Sequence, residues 1–257
     1  MLDLISFLTQ IPVKKNVRIE DVKAKSYLFP FVGLLIGVMV AVAAFVSFGF
    51  LGSTPEIAAL LTLLALYLVT GLLHLDGLAD FFDGVMAPGS RAEKKKAMKD
   101  DKIGIAGLFA AIFVLLLTLF AIKSVGADLT AAGFNFNFVS FYGFASVFVI
   151  AEVSAKLSMN MCLMLGKGFE GTEGLGTLFI RSSSPQKYLA ALVSAVLIAL
   201  LFTASFRFCI VFTGIVVAFV VSYVATRKFG AVSGDVVGAS NELARCATLL
   251  IWAVLFL

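Results

Sequence analysis

Long apolar stretches separated by shorter polar segments dominate this chain. A membrane-spanning helix needs about 20 consecutive, mostly apolar residues, and seven windows approach that length: 28–50, 57–75, 103–122, 138–165, 188–205, 209–226 and 242–257. The fifth and sixth windows are short and are joined closely around Arg207, and the seventh begins beside Arg245, so six spans is an alternative count. The pattern predicts an all-α, polytopic membrane helix bundle that forms a single domain over residues 1–257.

The segment before the first window has a different pattern. Its apolar side chains fall on one helical face and are Leu4, Ile5, Leu8 and Ile11. This spacing predicts a short helix that either lies in the membrane interface or packs against the bundle. A Lys-rich run at residues 91–102 predicts an amphipathic helix after the second window. Gly33 and Gly37 in the first window would allow dimerisation or close packing inside the bundle.

The composition supports the membrane assignment and excludes several kinds of site. The chain is 61% hydrophobic and 14% charged, with a mean hydropathy of +1.05, whereas soluble domains are about half apolar and about a quarter charged. Its three cysteines are scattered without the spacing of a zinc site or a disulfide framework. His74 is the single histidine, which excludes a site built from several imidazoles. We expect a lipid bilayer as the surroundings and no nucleic-acid partner.

The distribution of positive charge predicts the orientation. Sixteen of the 20 Lys and Arg residues lie in the N-terminal segment and in the segments after the second, fourth and sixth windows. Positive residues favour the cytoplasmic side of a membrane. We therefore expect a multi-pass protein of the cell membrane with a cytoplasmic N-terminus and cytoplasmic active-site loops.

Three aspartates directly after the second apolar window are the most informative polar feature. Asp76, Asp80 and Asp83 are spaced i, i+4, i+7, which places their carboxylates on one stripe of a helix. Like charges side by side repel and are costly to desolvate at the edge of a membrane. A hard divalent cation would relieve the repulsion, and carboxylate-bound Mg²⁺ commonly handles phosphates. The alternative is a helix end whose carboxylates simply face water.

Other charged residues could complete such a site. Candidate carboxylates outside the stripe are Asp100, Asp101 and Asp235, and candidate phosphate partners are Lys99, Lys102 and Arg181. Asp100 and Asp101 could instead be ordinary interfacial residues, and the Lys-rich run could serve only orientation and contact with anionic lipid. Glu152 and Lys156 stand one helical turn apart inside the fourth window, where they could form a buried pair or contact a ligand.

Several motifs, in order over nearly the whole chain, resemble the cobalamin synthase family, also called adenosylcobinamide-GDP ribazoletransferases. They occupy residues 7–13 (FLTQIPV), 29–37 (FPFVGLLIG), 71–84 (GLLHLDGLADFFDG), 98–107 (MKDDKIGIAG), 173–176 (EGLG) and 233–239 (SGDVVGA). The aspartate-rich block at 71–84 is the most specific of them.

The resemblance implies a late step of coenzyme B12 biosynthesis. The enzyme would join adenosylcobinamide-GDP to α-ribazole, or to its 5′-phosphate, and release GMP by magnesium-dependent phosphoryl transfer. Asp76, Asp80 and Asp83 would hold Mg²⁺, and the attacking hydroxyl would lose its proton to Asp83, with Asp100 or Asp101 as alternatives. Lys99, Lys102 and Arg181 would contact phosphates, while Lys156 and Asp235 would line the corrinoid cavity. A homo-oligomer and contacts with other corrinoid-assembly enzymes are further expectations.

Two other functions remain open from the residues alone. The aspartate block is also a variant of the pattern in CDP-alcohol phosphotransferases, although that pattern has Arg after the alanine and this chain has Asp80 after Ala79. The charged Glu152 and Lys156 inside an apolar window would suit a cation-coupled transporter. The clustering of the aspartates at one membrane face, without an internal repeat, counts against a transporter.

Overall fold

Helices make up nearly all of the regular structure in the computed structural model, which describes residues 1–13, 16–100, 102–131, 133–169 and 174–256. The α-helices are α1 (Leu2–Leu8), α2 (Ile19–Ala24), α3 (Phe29–Leu51), α4 (Pro55–Thr70), α5 (Leu73–Met86), α6 (Arg91–Met98), α7 (Ile105–Ala131), α8 (Phe138–Leu165), α9 (Leu175–Ser182), α10 (Pro185–Thr203), α11 (Thr213–Lys228) and α12 (Gly234–Leu255). Short 3₁₀ helices at Ser26–Leu28 and Phe206–Phe212 precede α3 and α11.

The expected all-α membrane bundle is confirmed. Among the described residues, five helical segments are long and apolar enough to cross a bilayer, and there are six if α4 and α5 together form one broken span. The five segments are Ser26–Leu51, α7, α8, α10 and Phe206–Lys228. The fifth and sixth apolar windows thus each supply a helix of spanning length. The seventh window forms part of α12, which carries Asp235, Glu242 and Arg245 and is less apolar than the five spans.

The second apolar window does not form one straight helix. α4 and α5 meet at an angle of 94°, and Gly71 between them has a φ of 69° that side-chain-bearing residues rarely adopt. The Gln10 side chain lies where a Gly71 side chain would project, and the Gln10 N–H donates to the Val69 carbonyl at 2.7 Å. The bend turns the aspartates away from the direction of α4.

The centre of the bundle is α8, which is buried at every residue from Phe144 to Leu163. It packs closely on α3 because a Cβ at Gly33 would lie 2.7 Å from the Glu152 carbonyl oxygen, and one at Gly37 would lie 2.5 Å from the Val149 Cα. The G-x-x-x-G pair in the first apolar window therefore serves packing inside the bundle. The N-terminal helix α1 also packs inward, with Leu4 and Leu8 buried.

A network of buried charges joins α8 to α12 and α4. The Arg245 guanidinium donates to both carboxylate oxygens of Glu242, at 2.6 and 2.7 Å, and to Glu152. Lys156 donates to Asn241 Oδ1 at 2.7 Å and lies 3.7 Å from Glu152. Tyr67 on α4 donates to Glu242 at 2.8 Å. The four charged side chains are at most 3% exposed and sum to zero charge, so burial leaves none of these charges uncompensated.

Removing Arg245 should destabilise the bundle severely. Arg245→Met leaves Glu152 and Glu242 buried with one cation, Lys156, between them, and breaking a buried pair costs about 3–5 kcal/mol. Arg227→Met is the matched control because Arg227 is exposed at the end of α11. Unfolding in detergent, followed by helical circular dichroism, measures both variants. Equal losses in the two variants would contradict a stabilising role for the network.

Candidate active site

The start of α12 lies against the aspartate-bearing face of α5. A Cβ at Gly77 would lie 3.0 Å from the Asp235 Cα, and one at Gly238 would lie 3.3 Å from the His74 Cα. Glycines on both helices thus allow their backbones to approach closely. The first turn of α12 begins at its N-cap Ser233, whose hydroxyl accepts from the Val236 N–H at 3.4 Å. The close approach of Gly77 to Asp235 places Asp235 beside the aspartates of α5.

Four carboxylates share this junction. Asp76, Asp83 and Asp235 all lie close enough to Asp80 to repel its negative charge. Asp76 is exposed, whereas the other three are half-buried. A positive contribution comes from Lys99, which acts on Asp235. The junction therefore concentrates negative charge that a positively charged group would stabilise.

Asp83 has a second role that the aspartate spacing does not reveal. Its two carboxylate oxygens each accept a backbone N–H at 2.8 Å, one from Gly104 and one from Gly107. These are N–H groups at the start of α7, which no carbonyl of that helix can satisfy. A Cβ at either glycine would collide with the Asp83 carboxylate. Asp83 thus caps α7 from a neighbouring helix.

The Lys-rich run forms the expected helix, α6, over Arg91–Met98, and this helix is fixed to the end of α5. Ser90 and Glu93 form a capping box at its start, and the hydrogen bonds from Ser90 hold the pKa of Glu93 below its ordinary value. Lys94 donates to the carbonyls of Val85 and Ala87 at the end of α5. Buried Met98 packs at Gly84, where a Cβ would lie 3.0 Å from the Met98 Cβ. Lys99 follows directly and so comes near Asp235.

The segment after α6 is less closely connected to the junction. Asp100 and Lys102 are exposed, and Asp100 accepts from the Lys102 backbone N–H at 3.1 Å. The contact is local and involves the Lys102 backbone rather than its ammonium. Asp101 lies outside the described residues, so its predicted catalytic role stays a prediction.

Arg181 and Lys156 belong to other helices, α9 and α8. Arg181 is exposed on the last turn of α9. The start of that helix contacts α12, since a Cβ at Gly176 would collide with the Gly234 backbone. Lys156 is fully buried, with its ammonium held by Asn241 and Glu152. Its placement supports the buried-pair interpretation, and a contact with a ligand would first require those bonds to open.

Comparison with known proteins identifies the family. A family model described as cobalamin-5-phosphate synthase matches residues 1–253. The chain belongs to the cobalamin-5-phosphate synthase family. It is 33% identical over 249 residues to an adenosylcobinamide-GDP ribazoletransferase of Methanococcoides burtonii, covering 96% of this chain and 89% of the relative. It is 34% identical over 254 residues to one of Thermococcus onnurineus, covering 98% and 97%. No solved structure matches the chain.

Membership of the cobalamin-5-phosphate synthase family confirms the resemblance and the prediction that the chain is an enzyme. Three of the quoted motifs converge in the structure: residues 71–84 form the bend and α5, residues 98–107 lead from α6 into α7, and residues 233–239 start α12. The Asp83 bonds to Gly104 and Gly107 join the first two motifs, and the Gly77–Asp235 contact joins the first to the third.

The donor set at the junction has the chemistry of a hard-cation site. In the described ranges, no group of three or more His, Cys, Asp or Glu side chains is arranged so that it could hold a metal ion. Mg²⁺, however, is usually held by one or two carboxylates together with waters and substrate phosphates. The carboxylates around Asp80 fit that requirement, and Mg²⁺ stays a prediction.

Sequence reasoning missed the partners of two charged groups. The bonds from Gly104 and Gly107 to Asp83 were not anticipated, although the G-x-x-G spacing at the start of an apolar window could have suggested close backbone approach. The link from Glu152 to Arg245 and Glu242 was also missed. The i, i+3 spacing of Glu242 and Arg245 inside an apolar window was a signal for a buried ion pair.

Asp83 and Asp76 should differ in what they contribute to stability. Asp83→Asn turns an amide NH₂ towards a backbone N–H, so one helix-start donor loses its acceptor at a cost of about 1–3 kcal/mol. Asp76→Asn, the same change on the same helix, should cost nothing because Asp76 is exposed. Thermal unfolding of both variants in detergent measures the difference. An equally stable Asp83→Asn protein would refute the capping role.

Proposed function

We propose that the chain joins adenosylcobinamide-GDP to α-ribazole, or to its 5′-phosphate, and releases GMP. The observation that carries the proposal is the junction at which three motifs of the family bring Asp76, Asp80, Asp83 and Asp235 together. Curated relatives that match nearly the full chain are named adenosylcobinamide-GDP ribazoletransferase. The reaction transfers a phosphoryl-linked group between two substrates, and clustered carboxylates with lysines nearby suit that chemistry.

Asp76 and Asp235 are the residues we assign to hold Mg²⁺, since this ion is usually held by one or two carboxylates. Asp80, which was also expected to bind the ion, is assigned instead to the proton transfer. Asp83 was expected to bind the ion as well, but its oxygens already accept two N–H groups of α7, so we assign it to positioning. When bound, Mg²⁺ would supply charge neutralisation at a diphosphate. The half-buried Asp80 lies between the other three carboxylates of the junction and feels the charge of each.

In the proposed reaction one bond forms, one bond breaks, and a residue of the chain accepts the proton that is released. A ribose hydroxyl oxygen of α-ribazole attacks the phosphorus attached to cobinamide, and the bond from that phosphorus to the oxygen of GMP breaks. Asp80 takes the hydroxyl proton in this proposal, because Asp83 is engaged with α7 and Asp76 is exposed to solvent. Lys99, which acts electrostatically on Asp235, and the exposed Lys102 would contact phosphate oxygens. Arg181 would take part only if a bulky substrate extends along α9.

The carboxylate junction is proposed to face the cytoplasm. Basic residues are concentrated in the segments at this end of the bundle, including α6 and the last turn of α11, and positive residues favour the cytoplasmic side. Nucleotide-activated substrates and GMP belong to the same compartment. The transporter alternative loses support, since Glu152 and Lys156 are sealed in the buried network.

Replacing Asp80 should abolish transfer without unfolding the protein. Asp80→Asn removes the proposed proton acceptor, and loss of a general base costs about 10²–10⁴-fold in rate. The measurement is chromatographic detection of the corrinoid product from adenosylcobinamide-GDP and α-ribazole, with protein reconstituted in vesicles containing Mg²⁺. Glu56→Gln is the control, since Glu56 is an exposed carboxylate at the start of α4, away from the bend that leads to the aspartates.

Three results would count against the proposal. Near-normal turnover by Asp80→Asn would remove Asp80 from the chemistry. Full activity in the presence of a chelator, after exhaustive dialysis, would show that the reaction needs no metal ion. Turnover of CDP-diacylglycerol, but not of adenosylcobinamide-GDP, would favour the CDP-alcohol phosphotransferase alternative.

The orientation can be tested with a native cysteine. Cys209 is exposed in the 3₁₀ helix at the end opposite the carboxylates, whereas Cys162 and Cys246 are buried. A membrane-impermeant maleimide should label Cys209 in intact cells. A Cys209→Ser, Lys96→Cys variant, which moves the thiol to exposed α6, should be labelled only after permeabilisation. The opposite labelling pattern would reverse the proposed orientation.

A further inference from the structure

A cavity opens at the end of the bundle opposite the carboxylate junction. Its volume is about 330 Å³, which lies within the range of small-molecule sites. The ends of α7, α10 and α12 surround it, together with the start of α8 and the 3₁₀ helix that carries Arg207. Its side chains include Asp128, Tyr142, Ser146, Arg207 and Trp252. It is far from the proposed reaction, because α12 alone spans 22 residues between the two ends.

Most hydroxyl groups around this cavity are already engaged. Tyr142 donates to the Leu201 carbonyl at 2.6 Å. Ser146 donates to the Phe202 carbonyl at 2.5 Å, and Thr203 donates to the Ala199 carbonyl at 2.9 Å. These hydroxyls therefore fix the wall of the cavity and have no proton left to donate to a ligand.

The two charged side chains of the cavity are not paired with each other. The Arg207 guanidinium carbon lies 5.0 Å from the centre of the Phe256 ring and 6.0 Å from that of Trp252, so two aromatic rings hold it in place. Within the described part of the chain, no ion pair joins Arg207 to Asp128, although both line the cavity. The cavity thus presents one cation and one anion to whatever occupies it.

We propose that this cavity binds the headgroup of an aminophospholipid, with its phosphate on Arg207 and its ammonium on Asp128. A guanidinium matches phosphate oxygens through several N–H donors, and a carboxylate pairs with an ammonium. Trp, Tyr and Arg are the residues typical of the membrane–water interface, and Trp252 is the chain's single tryptophan. Exposed Phe138, Val139 and Leu201 beside the cavity would contact the acyl chains.

A lipid, rather than a free zwitterion, is the occupant because the cavity wall continues into apolar surface. Phe206, Val254 and Leu255 around the same end are between 67% and 77% exposed. A soluble phosphoethanolamine would leave these side chains uncovered, whereas the chains of a lipid would cover them. A phospholipid and free phosphoethanolamine carry the same phosphate and ammonium groups, and the experiment below distinguishes the two ligands.

Native mass spectrometry of the detergent-purified full chain provides the test. Added phosphatidylethanolamine should remain bound to the protein, and Arg207→Gln and Asp128→Asn should each weaken this binding about tenfold, as expected for loss of one charge-assisted hydrogen bond. Phosphatidylglycerol, which lacks the ammonium, should bind about tenfold more weakly than phosphatidylethanolamine and should be insensitive to Asp128→Asn. Arg227→Gln is the matched control, because Arg227 also stacks on an aromatic ring, that of Tyr223, at 5.3 Å, but at the other end of the bundle.

The other outcomes overturn the proposal in distinct ways. Unchanged binding in Arg207→Gln, or an equal loss in Arg227→Gln, would show that the cavity does not hold the phosphate. Equal binding of the two lipids would remove the ammonium contact with Asp128. Displacement of the lipid by millimolar O-phosphoethanolamine would identify a free zwitterion as the ligand.

Discussion

The structure depends on the burial of α12 against α8, the central helix of the membrane bundle. Glu242 and Arg245 make α12 too polar to face lipid, and unpaired charges inside the bundle would be costly. The helix is stable there because Glu152, Lys156 and Tyr67 on neighbouring helices complete a neutral, hydrogen-bonded set. These bonds fix the position of α12 along α8.

The position of α12 in turn determines the carboxylate junction. Once its charged middle is fixed, its first turn meets α5 at Gly77, and Asp235 comes to lie beside Asp80. The other side of α5 is fixed by the bonds from α7 to Asp83. Two of the four carboxylates are therefore tied to helix starts, and Asp80 lies between them. Such rigid support is what a site for phosphoryl transfer requires.

The two ends of the bundle have different chemistry. The end with α6 and the start of α12 concentrates aspartates beside lysines, which suits a diphosphate with a divalent cation. The opposite end has a single Arg207 held on aromatic rings, with Asp128 across the cavity. The residues proposed to bind lipid are thus separated from those proposed for the reaction, so either proposal can fail without the other.

The sequence by itself determined the membrane class, five of the seven predicted spans and the aspartate stripe, because apolar length and i, i+4 spacing are local properties of the chain. It also predicted α6, and it offered packing against the bundle as one of two alternatives for α1 and for the Gly33–Gly37 pair. Only the tertiary structure decided that Asp83 caps α7, that the second apolar window bends at Gly71, and that Lys156 joins Arg245 and Glu242 in one network. Each of these depends on contacts between residues distant along the chain. The pairing of buried charges and N–H groups is set by where helices meet, which no local pattern specifies.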